Sequence, residues 1–429
     1  MKLKILLIIS AIGATQCMSQ QEIDETYVSH IVKSLSADEM LGREAFTPGA
    51  EMAADFLVKE FEHSGLAKFP GLDSYRQDFD MFGLSQETVS VSLNDAEVVD
   101  DNVFAIVDQK ELRWSNVDEV NVMTVGESDR LPDVFGQASA SDQDVLILVH
   151  PSHQDIFARY KQYFDRGGRK FELDKEKDVV VVLTDQLEPV NIDIKIESKV
   201  DTQSLTNVIG VISGKKSDEI VLFSGHYDHI GYQQTVEGDS IANGANDDAS
   251  GVAAVMALAK YFKAGEQPDR TLYFVAFTAE EKGGYGSQYF SRQLNPDQIV
   301  AMFNIEMIGK PAVSGPNTAW ISGFDKSDFG TLLQESVEGT EYEFYADPYP
   351  DQNLFYRSDN ATLARLGVPA HSISTTPIDV DKDYHQVTDE YETLDMAHLT
   401  NTVKAIAKAA ERMVSGEQTP TRVDKSTVD

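Results

Sequence analysis

Residues 224–251 have the sequence SGHYDHIGYQQTVEGDSIANGANDDASG. The apolar run 220–223 before this stretch is typical of a buried strand, and the segment 252–262 after it is typical of a helix. The stretch therefore connects a strand to a helix, and ligands of α/β proteins bind at the carboxyl ends of the strands. Its side chains include these candidate metal ligands: His226, Asp228, His229, Asp239, Asp247 and Asp248.

Segments typical of strands alternate with segments typical of helices from Asn207 onward. Further strands are predicted at 208–212, 272–277 and 302–307, and further helices at 287–293, 329–337 and 396–414. This alternation predicts an α/β fold in which helices cover both faces of a mixed, largely parallel central sheet, a three-layer α/β/α sandwich.

The residues outside this alternation form three further regions. Two amphipathic helices are predicted at 23–35 and 49–61, so residues 24–80 are assigned with 200–415 to one domain. Residues 81–199 contain short β-like runs, polar loops and one helix at 154–164, which predicts an inserted β-rich domain. Residues 416–429 lack an apolar face and are predicted to be a disordered tail.

Residues 1–19 have the layout of a secretory signal peptide. Lys2 and Lys4 precede an apolar run at 5–12 that is too short to span a membrane. Cleavage near Ser19 would place the protein in the periplasm or the medium. Lipidation of Cys17 is the alternative, and the bulky Gln16 before it counts against that. Because Cys17 is the only cysteine, no intramolecular disulfide is expected.

The chain is strongly acidic, with 36 Lys and Arg against 71 Asp and Glu and a formal net charge of −35. Such a charge repels nucleic acids and anionic membrane surfaces, so neither is expected as a partner. No later segment is long and apolar enough to predict a membrane span.

Acidic residues follow two more of the predicted strands. Glu280 and Glu281 come after the apolar run LYFVAFT, and Glu306 comes directly after the run at 302–305. One carboxylate of the pair could bind a metal while the other takes a proton from water, the alternative being an exposed loop pair. Glu306 is hard to explain as a core residue, because an unpaired buried carboxylate is costly.

The opening stretch and a distant loop add further donors. Asp247 and Asp248 are adjacent carboxylates that need a cation or hydrogen bonds to compensate their repulsion, and capping of the next helix is the alternative for Asp248. His226 could ligate a metal with Asp228 behind its ring, and His385 lies in a polar loop. Nitrogen and oxygen donors without thiolates suit zinc, and a shared carboxylate suits two ions about 3.5–4 Å apart.

The segments SGHYDHIG, NGANDDASG, TAEEKGGYGS, FNIEMIGK and YHQVTD resemble, in order and spacing, the motifs of the M28 family of zinc aminopeptidases and carboxypeptidases. The resemblance covers residues 205–400, and a weaker one covers 25–80. It implies the zinc exopeptidase fold, with residues 81–199 at the position where many members carry a protease-associated domain.

The resemblance also implies roles for the matching residues. Two Zn²⁺ ions would be held by five side chains: His226, Asp247, Glu281, Glu306 and His385. Asp247 would bridge both ions and precede a cis peptide bond to Asp248. Asp228 would orient His226, Glu280 would be the general base and Tyr384 would stabilise the tetrahedral intermediate. Arg357 would contact the substrate, whereas His229 and Asp239 are left without a role.

The function expected from this resemblance is that of a secreted or periplasmic di-zinc exopeptidase acting on peptides, with aminopeptidase specificity preferred. Many aminopeptidases of the family have Asp where Glu306 stands, so carboxypeptidase or dipeptidase specificity stays an alternative. Two others remain: a single-zinc acyltransferase similar to glutaminyl cyclase, and a binding module with a vestigial site, against which the complete ligand set counts.

Overall fold

The computed structural model describes residues 22–428 except residues 166 and 175. The predicted signal peptide, with Cys17, lies outside the described residues. The chain divides into two compact units, of which the first joins the described residues up to Gln77 to those from Asn207 onward, and the second is Asp78–Thr206. The second unit corresponds to the insert predicted at 81–199.

Within the described residues the chain forms nine α-helices: α1 Glu25–Leu35, α2 Pro48–His63, α3 Leu131–Ser139, α4 Gln154–Phe164, α5 Gly251–Ala264, α6 Tyr285–Ser291, α7 Phe329–Ser336, α8 Asn360–Ala364 and α9 Met396–Val414. Helix α2 begins where Thr47 accepts a hydrogen bond from the Gly49 N–H and Pro48 occupies the first turn, a position that suits proline. Helix α9 begins after Asp395, whose side chain accepts the His398 N–H. Local capping therefore explains where these helices start.

The strands of the described residues are β1 Ala67–Lys68, β2 Arg76–Leu93, β3 Ala96–Val98, β4 Val103–Ile106, β5 Glu111–Trp114, β6 Asn121–Val125, β7 Val145–Val149, β8 Arg169–Lys170, β9 Val179–Leu183, β10 Ile192–Ile212, β11 Lys216–His226, β12 Gly231–Val236, β13 Asp239–Ala242, β14 Arg270–Phe277, β15 Ile299–Ile305, β16 Thr318–Ile321, β17 Glu343–Ala346 and β18 Ala370–Ser374.

The first unit is built on a sheet with the strand order β17-β16-β18-β15-β11-β14-β10. The central strand β11 is parallel to β14 and to β15, and β15 is parallel to β18. Strand β10 is antiparallel to β14, and β16 is antiparallel to β18. The prediction of a mixed, largely parallel sheet is therefore confirmed.

Helices cover both faces of this sheet. Val221 and Phe223 of β11 pack in a core with residues of α1, α2, α5, α7 and α9. Ile220 and Leu222 point to the opposite face and pack in a second core with residues of α6 and α8, because successive strand residues alternate between faces. The predicted three-layer α/β/α sandwich is thus confirmed.

Phe223 lies at the centre of the larger core. Its ring centroid is 5.6 Å from that of Phe262, 5.3 Å from that of Phe274 and 4.9 Å from that of Phe303. We expect Phe223→Ala to lower the free energy of unfolding by about 3–5 kcal/mol, because truncation leaves a cavity among rings that cannot close around it. Urea unfolding followed by circular dichroism would measure the change.

The control for this prediction is Tyr232→Ala on β12, since the Tyr232 side chain is 58% exposed. It should change the free energy of unfolding by less than about 0.5 kcal/mol. A cost below about 1 kcal/mol for Phe223→Ala would contradict the central position of this ring.

The second unit combines strands with more helix than the sequence predicts. Its four-stranded sheet has the order β4-β9-β7-β6, with β6 and β9 both parallel to β7. Helices α3 and α4 contribute Leu131 and Phe157 to one core of this unit. Helix α4 has the predicted bounds, but α3 was missed because its sequence, LPDVFGQAS, contains Pro, Gly and Ser, which are poor helix formers.

The predicted disorder of the tail is wrong for residues 416–428. Gln418 and Val423 are buried, and Arg270 Nη1 donates to the Gln418 carbonyl oxygen at 2.6 Å. Arg422 Nη1 donates to the Ile299 carbonyl oxygen at 2.7 Å. The tail is ordered by hydrogen bonds to backbone carbonyl oxygens. Such bonds do not require a periodic pattern of apolar residues, so the sequence contains no sign of this order.

Within the described part of the chain, no helix is both long and apolar enough to cross a bilayer.

Candidate metal centre

Three neighbouring parallel strands bring the predicted ligands to one edge of the sheet. Strands β15, β11 and β14 lie side by side in that order. His226 is the last residue of β11, Glu306 follows the end of β15, and Glu280 and Glu281 follow the end of β14 after a short turn. The carboxyl ends of parallel strands meet at the same edge, so these side chains converge there.

The side chains form two groups of candidate metal donors that share Asp247. The first group is His226, Asp247 and Glu306, and the second is His229, Asp247 and Glu281. His226 Nε2 lies 3.1 Å from Asp247 Oδ1. His385 Nε2 lies 3.3 Å from Asp247 Oδ2 and 3.2 Å from Glu281 Oε1. The two carboxylate oxygens of Asp247 therefore face two different histidines.

These distances fit a zinc site. Donor atoms that bind one tetrahedral zinc at about 2.0–2.1 Å lie about 3.3 Å from each other. The distances from His226 to Asp247, and from His385 to Asp247 and to Glu281, are close to this value. The buried His226 Nε2 also has no hydrogen-bond partner among the described residues. A buried imidazole nitrogen that faces a carboxylate without such a bond is suited to bind a cation.

Asp248 connects the elements behind the donors. The peptide bond between Asp247 and Asp248 is cis, so that prediction is confirmed. The Asp248 carboxylate accepts the backbone N–H groups of His226 at 3.2 Å, Gly251 at 3.0 Å and Met307 at 3.0 Å. One side chain thereby links the ends of β11 and β15 to the start of α5.

Asp228 holds the turn that carries the paired glutamates. Its carboxylate accepts the backbone N–H groups of Glu280 at 3.0 Å and Glu281 at 3.3 Å. His226 Nδ1 lies 3.1 Å from the backbone carbonyl oxygen of Asp228 and 3.9 Å from its carboxylate. The structure thus differs from the prediction in one respect, because the Asp228 carbonyl rather than its carboxylate is within hydrogen-bond distance of the His226 ring.

Arg43 is a buried residue of this region for which the sequence pattern predicts no role. Its side chain has no exposed surface, and it donates hydrogen bonds to the backbone carbonyl oxygens of Leu35, Tyr227, Asn243 and Gly244. Burial lowers the pKa of Arg43 to about 10, against the opposing effect of the Asp228 and Asp389 charges. Arg43 remains a cation and joins both ends of the loop between His226 and Asp247.

The loop that carries His385 is fixed by residues on both sides of it. Lys310 Nζ lies 2.6 Å from Asp381 Oδ1 and 2.7 Å from Asp383 Oδ2. Asp389 Oδ2 accepts the backbone N–H of Asp247 at 3.0 Å. The part of the loop before His385 is thus bound to the segment that follows β15. The part after His385 is bound to the segment that carries Asp247.

The centre concentrates acidic groups away from water. Burial raises the pKa of Glu280 well above its ordinary value, and the Glu306 and Asp359 charges add to this against the opposing charge of His226. Burial likewise raises the pKa of Glu306 to about 7. Burial disfavours protonation of His385, but its hydrogen bonds with Asp247 and Glu281 raise the His385 pKa to about 10. Bound cations would compensate this negative charge.

Tyr384 and Arg357 line a small cavity beside Glu306. The Tyr384 ring stacks on the His385 ring at a centroid distance of 4.0 Å. Arg357 Nη2 lies 3.3 Å from the Tyr384 hydroxyl oxygen. Trp320 forms part of the cavity wall, so the space next to the donors has an aromatic wall and a cationic one.

His229 and Asp239, which the resemblance left without a role, lie in different surroundings. Asp239 accepts the N–H of Ile241 within its own hairpin. His229 is fully buried, and its Nδ1 lies 3.0 Å from Glu281 Oε1. The structure therefore places His229 inside the second donor group, contrary to its interpretation as a bystander. The spacing of the sequence could not identify His229, because the loop contains more histidines and acids than the expected set of ligands.

Residues 207–410 match the model of peptidase family M28, and both groups of candidate donors lie within this matched segment.

Known proteins similar to this chain are consistent with that match. A probable zinc metalloprotease of Pyricularia oryzae is 37% identical over 116 residues, which cover 27% of this chain and 22% of the relative. The matched parts span between 22% and 32% of the first curated relatives.

Two solved structures share the fold. An aminopeptidase from Aneurinibacillus sp. strain AM-1 has a TM-score of 0.55 at 19% identity, covering 96% of this chain and 97% of that one. A Bacteroides thetaiotaomicron glutaminyl cyclase has a TM-score of 0.50 at 12% identity, covering 93% and 99%. At such identities the likeness establishes the fold alone, and this fold accommodates more than one activity.

Proposed function

We propose that the protein is a di-zinc exopeptidase that hydrolyses the terminal peptide bond of a peptide, with aminopeptidase specificity. The observation that carries the proposal is the position of Asp247. Its Oδ1 lies 3.1 Å from His226 Nε2 and its Oδ2 lies 3.3 Å from His385 Nε2. One carboxylate between two imidazoles is suited to bind two adjacent ions.

The first ion would be held by the first donor group, His226, Asp247 and Glu306. The second ion would be held by Asp247 and Glu281 together with His385, whose Nε2 lies 3.3 Å from Asp247 Oδ2 and 3.2 Å from Glu281 Oε1. When bound, zinc supplies Lewis acidity that lowers the pKa of water and polarises the carbonyl group of the scissile bond. Each ion would have three protein donors, which leaves a position for water or substrate.

Glu280 would act as the general base. Its side chain is half-buried, and its backbone N–H donates to the Asp228 carboxylate at 3.0 Å. The surrounding burial and acidic groups raise the pKa of Glu280, so its carboxylate can take a proton from the attacking water and hold it. Glu280 would then pass this proton to the amine that leaves.

Tyr384 and Arg357 would contact the substrate. Burial raises the pKa of the Tyr384 hydroxyl, and the Asp247 charge adds to this effect, so the hydroxyl keeps its proton. It can therefore donate a hydrogen bond to the oxyanion that forms on the scissile carbonyl. Arg357, 3.3 Å from this hydroxyl, would hold the tyrosine in place and bind a polar group of the peptide.

We also propose that the protein acts outside the cytoplasm. Lys2 and Lys4 followed by the apolar run 5–12 support cleavage by a secretory pathway. Lipidation of Cys17 stays the alternative mode of processing.

The test of the function combines a zinc measurement with a substrate panel. We expect two zinc ions per chain and hydrolysis of aminoacyl substrates with a free amino terminus. Acetylation of that terminus should abolish hydrolysis, whereas amidation of the carboxyl terminus should not. One zinc ion per chain with cyclisation of amino-terminal glutamine would favour a glutaminyl cyclase instead. Cleavage only of amino-blocked peptides would identify a carboxypeptidase.

A further inference from the structure

Within the second donor group, His229 is joined to Glu281 by a hydrogen bond. Its Nδ1 lies 3.0 Å from Glu281 Oε1 but 3.9 Å from Asp247 Oδ2. The same Glu281 oxygen lies 3.2 Å from His385 Nε2. His229 and His385 therefore approach one carboxylate oxygen from two directions, and an oxygen with two lone pairs can accept both a proton and a metal ion.

The His229 ring is held in place by the backbone around it. The backbone N–H of His229 donates to the Arg43 carbonyl oxygen at 3.3 Å. Gly244 has a φ of +54°, and a Cβ atom at this position would lie 2.5 Å from Cγ of His229. The absence of a side chain at Gly244 thus provides the space that the imidazole occupies. Arg43 also donates to the Gly244 carbonyl, which fixes this wall.

The distances distinguish a hydrogen bond from direct ligation. Two donors of one tetrahedral zinc lie about 3.3 Å apart, and His385 has this separation from both Asp247 and Glu281. His229 Nδ1 is close to Glu281 alone. Its other nitrogen, Nε2, is buried without a hydrogen-bond partner among the described residues. A ring protonated at Nδ1 satisfies this geometry, because it donates to Glu281 and leaves no buried N–H unpaired.

We propose that His229 is a positioning residue for the second zinc ion: its Nδ1–H donates to Glu281 and holds that carboxylate in the orientation that binds the metal beside Asp247 and His385. The proposal rests on the two-ion site proposed above. Partners of this kind fix the orientation of a ligating side chain, and their loss typically weakens metal binding ten- to hundredfold.

Two substitutions at this position separate the hydrogen bond from the volume of the side chain. The amide nitrogen of Asn takes the place of Nδ1, so His229→Asn keeps a donor toward Glu281. The amide of Gln reaches the place of Nε2, so His229→Gln lacks this donor while filling a similar volume. We expect His229→Gln to weaken one of the two zinc affinities about ten- to hundredfold and to leave the other unchanged, and His229→Asn to remain within about threefold of the wild type.

The readout is competition for zinc between the purified full-length protein and a chromophoric chelator, without substrate. Thermal unfolding of the zinc-free variants shows whether each folds normally, and His63→Gln, whose side chain is 78% exposed, is the matched control. Two native affinities in His229→Gln would overturn the proposal. An equal loss in His229→Asn and His229→Gln would also overturn it, since the imidazole itself would then be a ligand. A wild type that binds a single ion would refute the proposed function as well. A wild type that binds two ions, with both affinities unchanged in His229→Gln, would refute only the role of His229.

Discussion

The Glu280→Gln variant is expected to retain both zinc ions but to lose about 10²- to 10⁴-fold in kcat, the usual contribution of a general base. Glutamine has the shape of glutamate but cannot take a proton from water. The backbone N–H of residue 280 would still donate to Asp228, so the turn should keep its conformation. Neither donor group includes Glu280, so metal binding should survive. Steady-state kinetics and zinc analysis of the same preparation would measure both effects.

The control for this experiment is Glu338→Gln, which removes one exposed carboxylate after α7 and should leave kcat unchanged. A kcat of Glu280→Gln within about tenfold of the wild type would refute the role of Glu280. Loss of zinc together with activity would instead identify Glu280 as a ligand.

The Asp247→Asn variant is expected to lose both zinc ions at once. Each oxygen of Asp247 faces a different histidine, so a neutral amide removes one charged donor from each ion position. Two strong protein donors would remain at each position, because a neutral amide oxygen is a poor zinc ligand, whereas protein zinc sites have three or four such donors. The backbone N–H of residue 247 can still donate to Asp389, so the loop should keep its fold.

Zinc content after gel filtration would test this expectation, and thermal unfolding would add a second readout. A ligand that binds only the folded state raises its stability, so chelation should lower the Tm of the wild type but not that of Asp247→Asn. Asp239→Asn lies in the same loop outside the donor groups and should behave as the wild type. One ion retained by Asp247→Asn would show that the carboxylate does not serve both positions.

The sheet and the convergence of the site were predictable because each rests on a local pattern. The apolar run before His226 is long enough to indicate a buried strand, and acids directly after such runs must gather at one edge of a parallel sheet. Strand β18 lacked such a signal, since its sequence AHSIS is polar. His371 is buried there because its Nδ1 lies 2.8 Å from the Ser322 carbonyl oxygen and its Nε2 2.7 Å from the Ser327 hydroxyl.

The residues that organise the donors were not predictable from spacing. Asp389 binds a backbone N–H group far away in the chain, and Arg43 donates to three distant carbonyl oxygens besides that of Leu35. His229 was visible as a candidate, but only its distance from Glu281 separates it from Asp239. Such contacts depend on tertiary structure that a single sequence does not specify locally.

Arg43 has a consequence for the shortest fragment of this protein that could be produced in active form. The match to the family begins at residue 207. The guanidinium that donates to Tyr227, Asn243 and Gly244 belongs to Arg43, which lies between α1 and α2. A fragment limited to 207–410 would lose these three buried hydrogen bonds from a charged donor, each of which contributes about 1.5–3 kcal/mol. The boundary of sequence similarity is therefore not the boundary of the folding unit, and an expression fragment needs the helices that precede the match.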